Sequence, residues 1–248
     1  MNVVGKSTLK MGLNRTGMAT SPIHGKELVD SVSEATPSST GDEQWIAAVR
    51  NAYGKEGLPV GHVPAPSTLK GVVGTTIKAV QGLSMTVFMD KLGERLAFER
   101  TGTRLYEALL SKFDTFGTFA GGPQRSVLER FHQEELTHFS LLKSTIESLG
   151  GDPTVITPSA DVVAVESMGL AQVLLDPRTT FVQGLEAILV AELADNDGWT
   201  LLITLAGDFN REDLVQSFKE ALDEENAHLE KVRHWVRAAM RVEEKVKD

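Results

Sequence analysis

A chain of 248 residues, 41% of them hydrophobic, can bury a sizeable core and fits one large domain or a domain with an extension. Its net charge of −9, with no basic stripe to offset it, argues against nucleic-acid binding. There is no cysteine, which excludes disulfides, thiolate zinc sites, thiol catalysis and cysteine-ligated iron, and suits a reducing cytoplasm, the expected location.

The N-terminal stretch "MNVVGKSTLKMGLNRTGMATSP" lacks the apolar core of a secretory signal and reads as a polar tail. Residues 1–40, rich in Ser, Thr and Gly, read as a loop or flexible arm. "DEQWIAAVRNAYG" (42–54) has the pattern of a short amphipathic helix, and the proline-bearing stretch 55–67 that of a linker. The expected division is an extension over 1–70, partly irregular with one short helix, and a helical bundle over 71–248. No apolar run is long enough to span a bilayer, so no membrane is expected as a partner.

From there the period is helical. Met85, Phe88, Leu92, Leu96, Tyr106, Leu109 and Phe113 step by three, four or seven and predict helix A, roughly 84–114. "GTFAGGPQ" closes it, and Pro123 opens helix B, which runs through Val127, Phe131, Leu142, Ile146 and Leu149 to "GGDP". Helix C carries Phe181, Leu185, Ile188, Trp199 and Leu202. After "GDFN", helix D carries Leu214, Phe218, Leu222, Leu229, Val232 and Val236. Short turns join A to B and C to D, which predicts two antiparallel hairpins. Residues 152–180 join B to C, enough chain to run the length of the bundle outside it, leaving B and C parallel. A short helix around "ADVVAVESMGLAQVL" is expected in that segment, packed across a bundle face. The expected fold is all-α, a four-helix bundle with one long B–C crossover and an N-terminal extension.

Each apolar stripe has a polar interruption. Glu99 lies on the core side of A, Glu135 and His138 on that of B, Glu192 and Asp195 on that of C, and Glu225 on that of D with His228 beside it. A buried carboxylate is costly unless it is paired or holds a metal. Depth supplies a second test. Counted from the A–B and C–D turns, Glu99, Glu135, Glu192 and Glu225 lie about twelve to fifteen residues away, the same height to within one turn at ~1.5 Å per residue. They read as one site. Two divalent metals side by side need bridging and terminal carboxylates, and neutral imidazole suits iron, manganese or zinc better than magnesium. One Glu from each of two helices and Glu-x-x-His from each of the others is the di-metal carboxylate pattern.

"ERTGTRLY", "EELTH", "AELADNDGW" and "EENAH" together resemble the four site helices of the ferritin-like superfamily, with spacings similar to rubrerythrin over roughly 84–241. The cysteine-ligated rubredoxin module of that family is missing. Where rubrerythrins carry two glutamates three apart in helix C, this chain has Glu192 and the shorter Asp195. Asp195 is therefore expected mainly as a hydrogen-bond acceptor for His138 or His228 and only conditionally as a ligand. Tyr106, seven residues after Glu99, faces the core near the site, either as a packed aromatic with a bonded hydroxyl or in a redox role. Glu94, Glu134, Glu186 and Glu224 read as surface residues or supports for the ligands.

The resemblance implies two iron ions, with manganese as the alternative, held by Glu99, Glu135, His138, Glu192, Glu225 and His228. It further implies an oxidase or peroxidase reacting with O2 or peroxide, an electron donor of unknown nature, and a second copy of the chain, in a homodimer, as a partner. The alternatives are iron storage or sequestration, and a structural ferritin-like bundle with incidental metal.

Overall fold

The computed structural model describes residues 21–35, 43–64 and 85–245, with side chains to residue 241. The tail over 1–20, residues 36–42, and 65–84, which include the expected boundary near 70, lie outside the described residues. All regular structure among the described residues is helical. None of these helices is long and apolar enough to cross a membrane.

The described residues divide into two compact units, one lying within 7–59 and the other from Val60 onward. The smaller holds α1 (Pro22–Glu34) and α2 (Glu43–Glu56). Helix α2 matches the amphipathic stretch expected at 42–54. Helix α1 corrects the reading of residues 1–40 as a loop or flexible arm. Pro22 sits in its first turn, where the missing N–H costs nothing and the fixed φ favours a helix. Neither helix buries a residue.

The larger unit contains α3 (Met85–Phe116), α4 (Arg125–Ser148), α5 (Pro158–Glu166), α6 (Met168–Leu175), α7 (Phe181–Asp208) and α8 (Glu212–Lys245). Helices α3, α4, α7 and α8 correspond to the expected A, B, C and D. Local chemistry ends and begins them where the sequence breaks. Gly117 and Gly150 take positive φ just past α3 and α4, and the Gly150 and Gly151 N–H groups bond back to Glu147 and Ile146. Thr180 and Gln183 form a capping box at the start of α7.

The cross-chain contacts give the direction of each helix. Arg95 meets Asp195 while Tyr106 meets Glu192, so α3 and α7 are antiparallel. His138 meets Glu224 while His228 meets Glu134, so α4 and α8 are antiparallel as well. With short turns inside each hairpin, α4 and α7 are parallel. The fold is a four-helix bundle with one long crossover, the ferritin-like arrangement.

The crossover contains two short helices where one was expected, and both pack on α3. It is pinned at both ends. Thr157 caps α5 and donates to the Asp90 carbonyl at 3.1 Å, and Ser159 donates to the Asp90 carboxylate through its backbone N–H and hydroxyl at 2.9 and 2.7 Å. A side chain at Gly93 would collide with Thr157 at 2.6 Å, so this glycine permits the close approach. At the other end the Lys112 ammonium donates to the carbonyls of Asp176 and Thr179, each at 2.9 Å.

The bundle interior is two apolar clusters with a polar layer between them. One gathers Phe98, Leu105, Tyr106, Phe131, Leu185, Ile188, Val232 and Trp235. The other gathers Phe88, Leu92, Leu142, Trp199, Leu202 and Phe218. On every one of the four helices the expected site residues fall where one cluster gives way to the other.

Candidate metal centre

Glu99, Glu135, His138, Glu192, Asp195, Glu225 and His228 are all at most 2% exposed. The structure brings all seven into this one layer. Their donor atoms converge in three overlapping groups, each within 4.8 Å: Glu135, Glu192, Glu225 and His228; Glu99, His138 and Glu225; and Glu99, Glu135, Asp195 and Glu225. Glu225 belongs to all three. Its two oxygens lie 2.7 Å from His138 Nδ1 and 3.3 Å from His228 Nδ1.

Both imidazoles present Nδ1 to the interior and Nε2 outward. His138 Nδ1 also lies 3.7 Å from Glu99, and His228 Nδ1 lies 3.7 Å from Glu135 and 3.8 Å from Glu192. Each Nε2 is bonded at 2.8 Å to a carboxylate across the bundle, His138 to Glu224 and His228 to Glu134. Each of these acids directly precedes the inward glutamate of its own helix. A carboxylate on the outer nitrogen fixes ring orientation and raises the basicity of the inner one. This corrects the expectation for Asp195, which bonds to neither histidine and pairs with Arg95 instead.

Arg95 is the residue that sequence reasoning missed. It is 5% exposed, one turn before Glu99 on the inner face of α3. It lies 3.1 Å from Asp195 and 3.4 Å from Glu99. The signal was its register, since 88, 92, 95 and 99 form one stripe. Two glycines make room for the layer. A Cβ on Gly102 would stand 2.1 Å from Glu135 Oε2, and one on Gly198 would stand 1.9 Å from the Arg95 guanidinium.

Aromatic rings close the layer on both sides. Phe131 lies 3.9 Å from the His228 ring, centre to centre, and Trp199 meets His138 edge-on. The buried Tyr106 hydroxyl donates to Glu192. Asn196 ties α7 to α8 by donating to the carbonyls of Glu192 and Glu225 at 3.0 and 3.2 Å.

The electrostatics are those of crowded anions. Burial, reinforced by neighbouring carboxylates, pushes Glu99 and Glu192 well above the usual carboxylate range. Burial also raises Asp195, with Arg95 opposing, and raises Glu135, with Glu225 adding to it. Glu225 is the exception: burial would raise it, but contact with the two imidazoles holds it below its ordinary value. Burial opposes protonation of His138, yet Glu225 and its neighbours raise it to about 8, and His228 is raised in the same way by Glu134, Glu135 and Glu225. Burial and the Glu192 carboxylate push Tyr106 up, keeping its hydroxyl protonated.

The residues fit a pair of divalent ions on two counts. Apart from the ion-pair contacts they make with one another and with Arg95, inward-facing oxygens of Glu99, Glu135, Glu192, Asp195 and Glu225, and Nδ1 of both histidines, have no hydrogen-bond partner, a rare condition for buried polar atoms. With all five buried carboxylates ionised and both imidazoles neutral, the form that metal ligation requires, the one buried guanidinium leaves four negative charges, the number two divalent cations would neutralise.

Fold and site together define a ferritin-like bundle with a buried carboxylate–histidine centre. No family model and no curated protein matches the chain. Among solved structures it is similar to one described as "ferritin like, diiron-carboxylate proteins from Bacillus anthracis str. Ames". The identity is 21%, the match covers 60% of this chain and 94% of that one, and the TM-score is 0.43.

Proposed function

We propose that the centre holds two redox-active divalent ions, iron or manganese, and that the protein is an oxidase or peroxidase acting on O2 or peroxide. The observation that carries the reading is the convergence of seven buried donors whose inward atoms face only one another and Arg95, and whose charge, summed with that of Arg95, matches two dications. Glu135, Glu192, Glu225 and His228 would hold one ion and Glu99, His138 and Glu225 the other. Two such ions supply one electron each on passing from the two-plus to the three-plus state, which matches the two-electron reduction of peroxide to water or of O2 to peroxide.

The chain's own residues prepare the site. Glu134 and Glu224 hold the imidazoles in the orientation that turns Nδ1 inward. Tyr106 holds Glu192 by its hydroxyl, and Phe131 and Trp199 pack against the two imidazole rings. Metal analysis, followed by an optical spectrum after anaerobic loading with ferrous iron and exposure to O2 or peroxide, tests the proposal. Up to two ions per chain and an oxidant-dependent absorption change are expected. A protein that takes up no transition metal would refute it.

Gly102→Ala provides a local probe. The added methyl would push on Glu135, whose Oε2 and Cδ stand 2.1 and 2.9 Å from its position. Alanine favours a helix interior over glycine by ~1 kcal/mol, so the metal-free fold should keep or gain stability. Metal affinity should fall by about 10-fold or more, as when a group that orients a ligand is lost. Equilibrium metal binding and thermal melts of the same samples check both halves.

A further inference from the structure

A buried arginine inside a layer that would hold two dications is a conflict, since its charge repels what the carboxylates attract. Its seat is nevertheless built for it. One guanidinium nitrogen lies 3.4 and 3.3 Å from the carbonyl oxygens of Ala194 and Asp195, and the head sits 4.1 Å from the centre of the Phe98 ring. Gly198 leaves the space that the head occupies. Its charge is directed to one side of the centre. The ion pairs it forms are with Glu99 and Asp195, whereas Glu135, Glu192, Glu225 and His228 form a four-donor group that contains neither. The Glu99–His138–Glu225 group has three donors, and one of them is already engaged by Arg95. Asp195 lies close enough to Glu99, Glu135 and Glu225 to become a further donor on that side if the guanidinium yields it.

We propose that Arg95 is a built-in cation that competes with the second metal ion for Glu99 and Asp195. The two ions then bind unequally and in order. The first is held by Glu135, Glu192, Glu225 and His228. The second enters the Glu99–His138 side and recruits Asp195 as Arg95 lets it go. The inference rests on the di-metal reading above and deepens it, making Arg95 a positioning residue that sets the order of occupancy.

Stepwise titration with cobalt(II) alone, followed by its d–d absorption and by calorimetry, tests this without any turnover. In the parent protein the second ion should bind about 10–100-fold more weakly than the first, the range expected when a partner of a ligand is the controlling group. Arg95→Gln should narrow that gap by strengthening the second step, and Arg95→Lys, which keeps the charge, should preserve it. Asp195→Asn supplies a second variant that keeps the shape of the layer. It should weaken the second ion further and leave the first unchanged. Equal affinities in the parent, or a gap that Arg95→Gln leaves unaltered, would overturn the proposal, as would an Asp195→Asn protein whose second step is unaffected. Failure of the parent to bind cobalt at all would refute the di-metal reading itself, a result distinct from two equal sites.

Discussion

Glu225→Ala should leave the protein folded and strip both metal ions from it. Glu225 is the one side chain common to every donor group in the layer, with one oxygen 2.7 Å from His138 Nδ1 and the other 3.3 Å from His228 Nδ1. Its removal leaves one ion with two protein donors, Glu99 and His138, and the other with three. It also takes one negative charge from a centre whose attraction for dications depends on its excess of anions. Substituting Glu135 as well takes a donor from two of the groups and should bring binding to background. The two apolar clusters flanking the layer do not include either glutamate, so the helical circular dichroism should be retained. Elemental analysis after dialysis, run beside the dichroism, checks the result. Two ions surviving in the double variant would mean that the metal sits elsewhere.

The metal-free protein should lose stability as pH rises from about 5 to 9, and metal should reverse that trend. Glu99, Glu135, Glu192 and Asp195 all have native values raised by burial above their ordinary range. A carboxyl raised in the native state binds its proton there more tightly than in the unfolded chain. Its contribution is therefore present at low pH and lost as pH climbs through the native value. His138 acts in the same direction. Raised from 6.5 to about 8, it contributes fully below 6.5 and loses that contribution as pH passes 8. That single shift amounts to ~2 kcal/mol, taking 1.36 kcal/mol per unit, and to roughly 4–8 °C in Tm for a chain of this size. Glu225 and Glu134 are lowered, so their opposing contributions fall below the ordinary carboxylate value of 4.5, outside this window. Metal ligation requires the deprotonated carboxylates and neutral imidazoles that high pH supplies, so an added divalent ion should stabilise most at pH 8 to 9. Melts across pH, with a chelator and with manganese(II), decide the matter. A metal-free protein whose Tm is flat or rises between pH 5 and 9 would contradict the charge distribution described.

Much of this centre could be read from spacing because a helix repeats with a known period. Polar residues that keep step with an apolar stripe must face the core, and Glu99, Glu135, Glu192 and Glu225 do so at matched distances from two turns. The turns themselves were legible, since Gly117 and Gly150 stop helices by backbone chemistry that acts locally. Helix α1 was missed because its apolar residues, Ile23, Leu28, Val29 and Val32, are few, exposed and interrupted by Gly25, so the stripe is faint. The pattern of the crossover predicts one short helix, whereas the chain breaks it at Ser167 into two.

Partnership across the bundle is a different kind of fact. Nothing in the local pattern says that Glu134 bonds to His228 and Glu224 to His138, or that Asp195 is taken by an arginine 100 positions away. Arg95 lies in register with the core stripe, but a long basic side chain there could equally reach for solvent. Its inward course depends on Gly198 of the opposing helix leaving space and on Asp195 standing beside that space. Which faces of four helices turn inward, and at what height the anions lie, follow from the order of residues alone, because period and rise are properties of one helix. Which acid meets which base is settled in the assembled bundle, because it depends on the rotation and offset of one helix against another, set by the packing of both apolar clusters together.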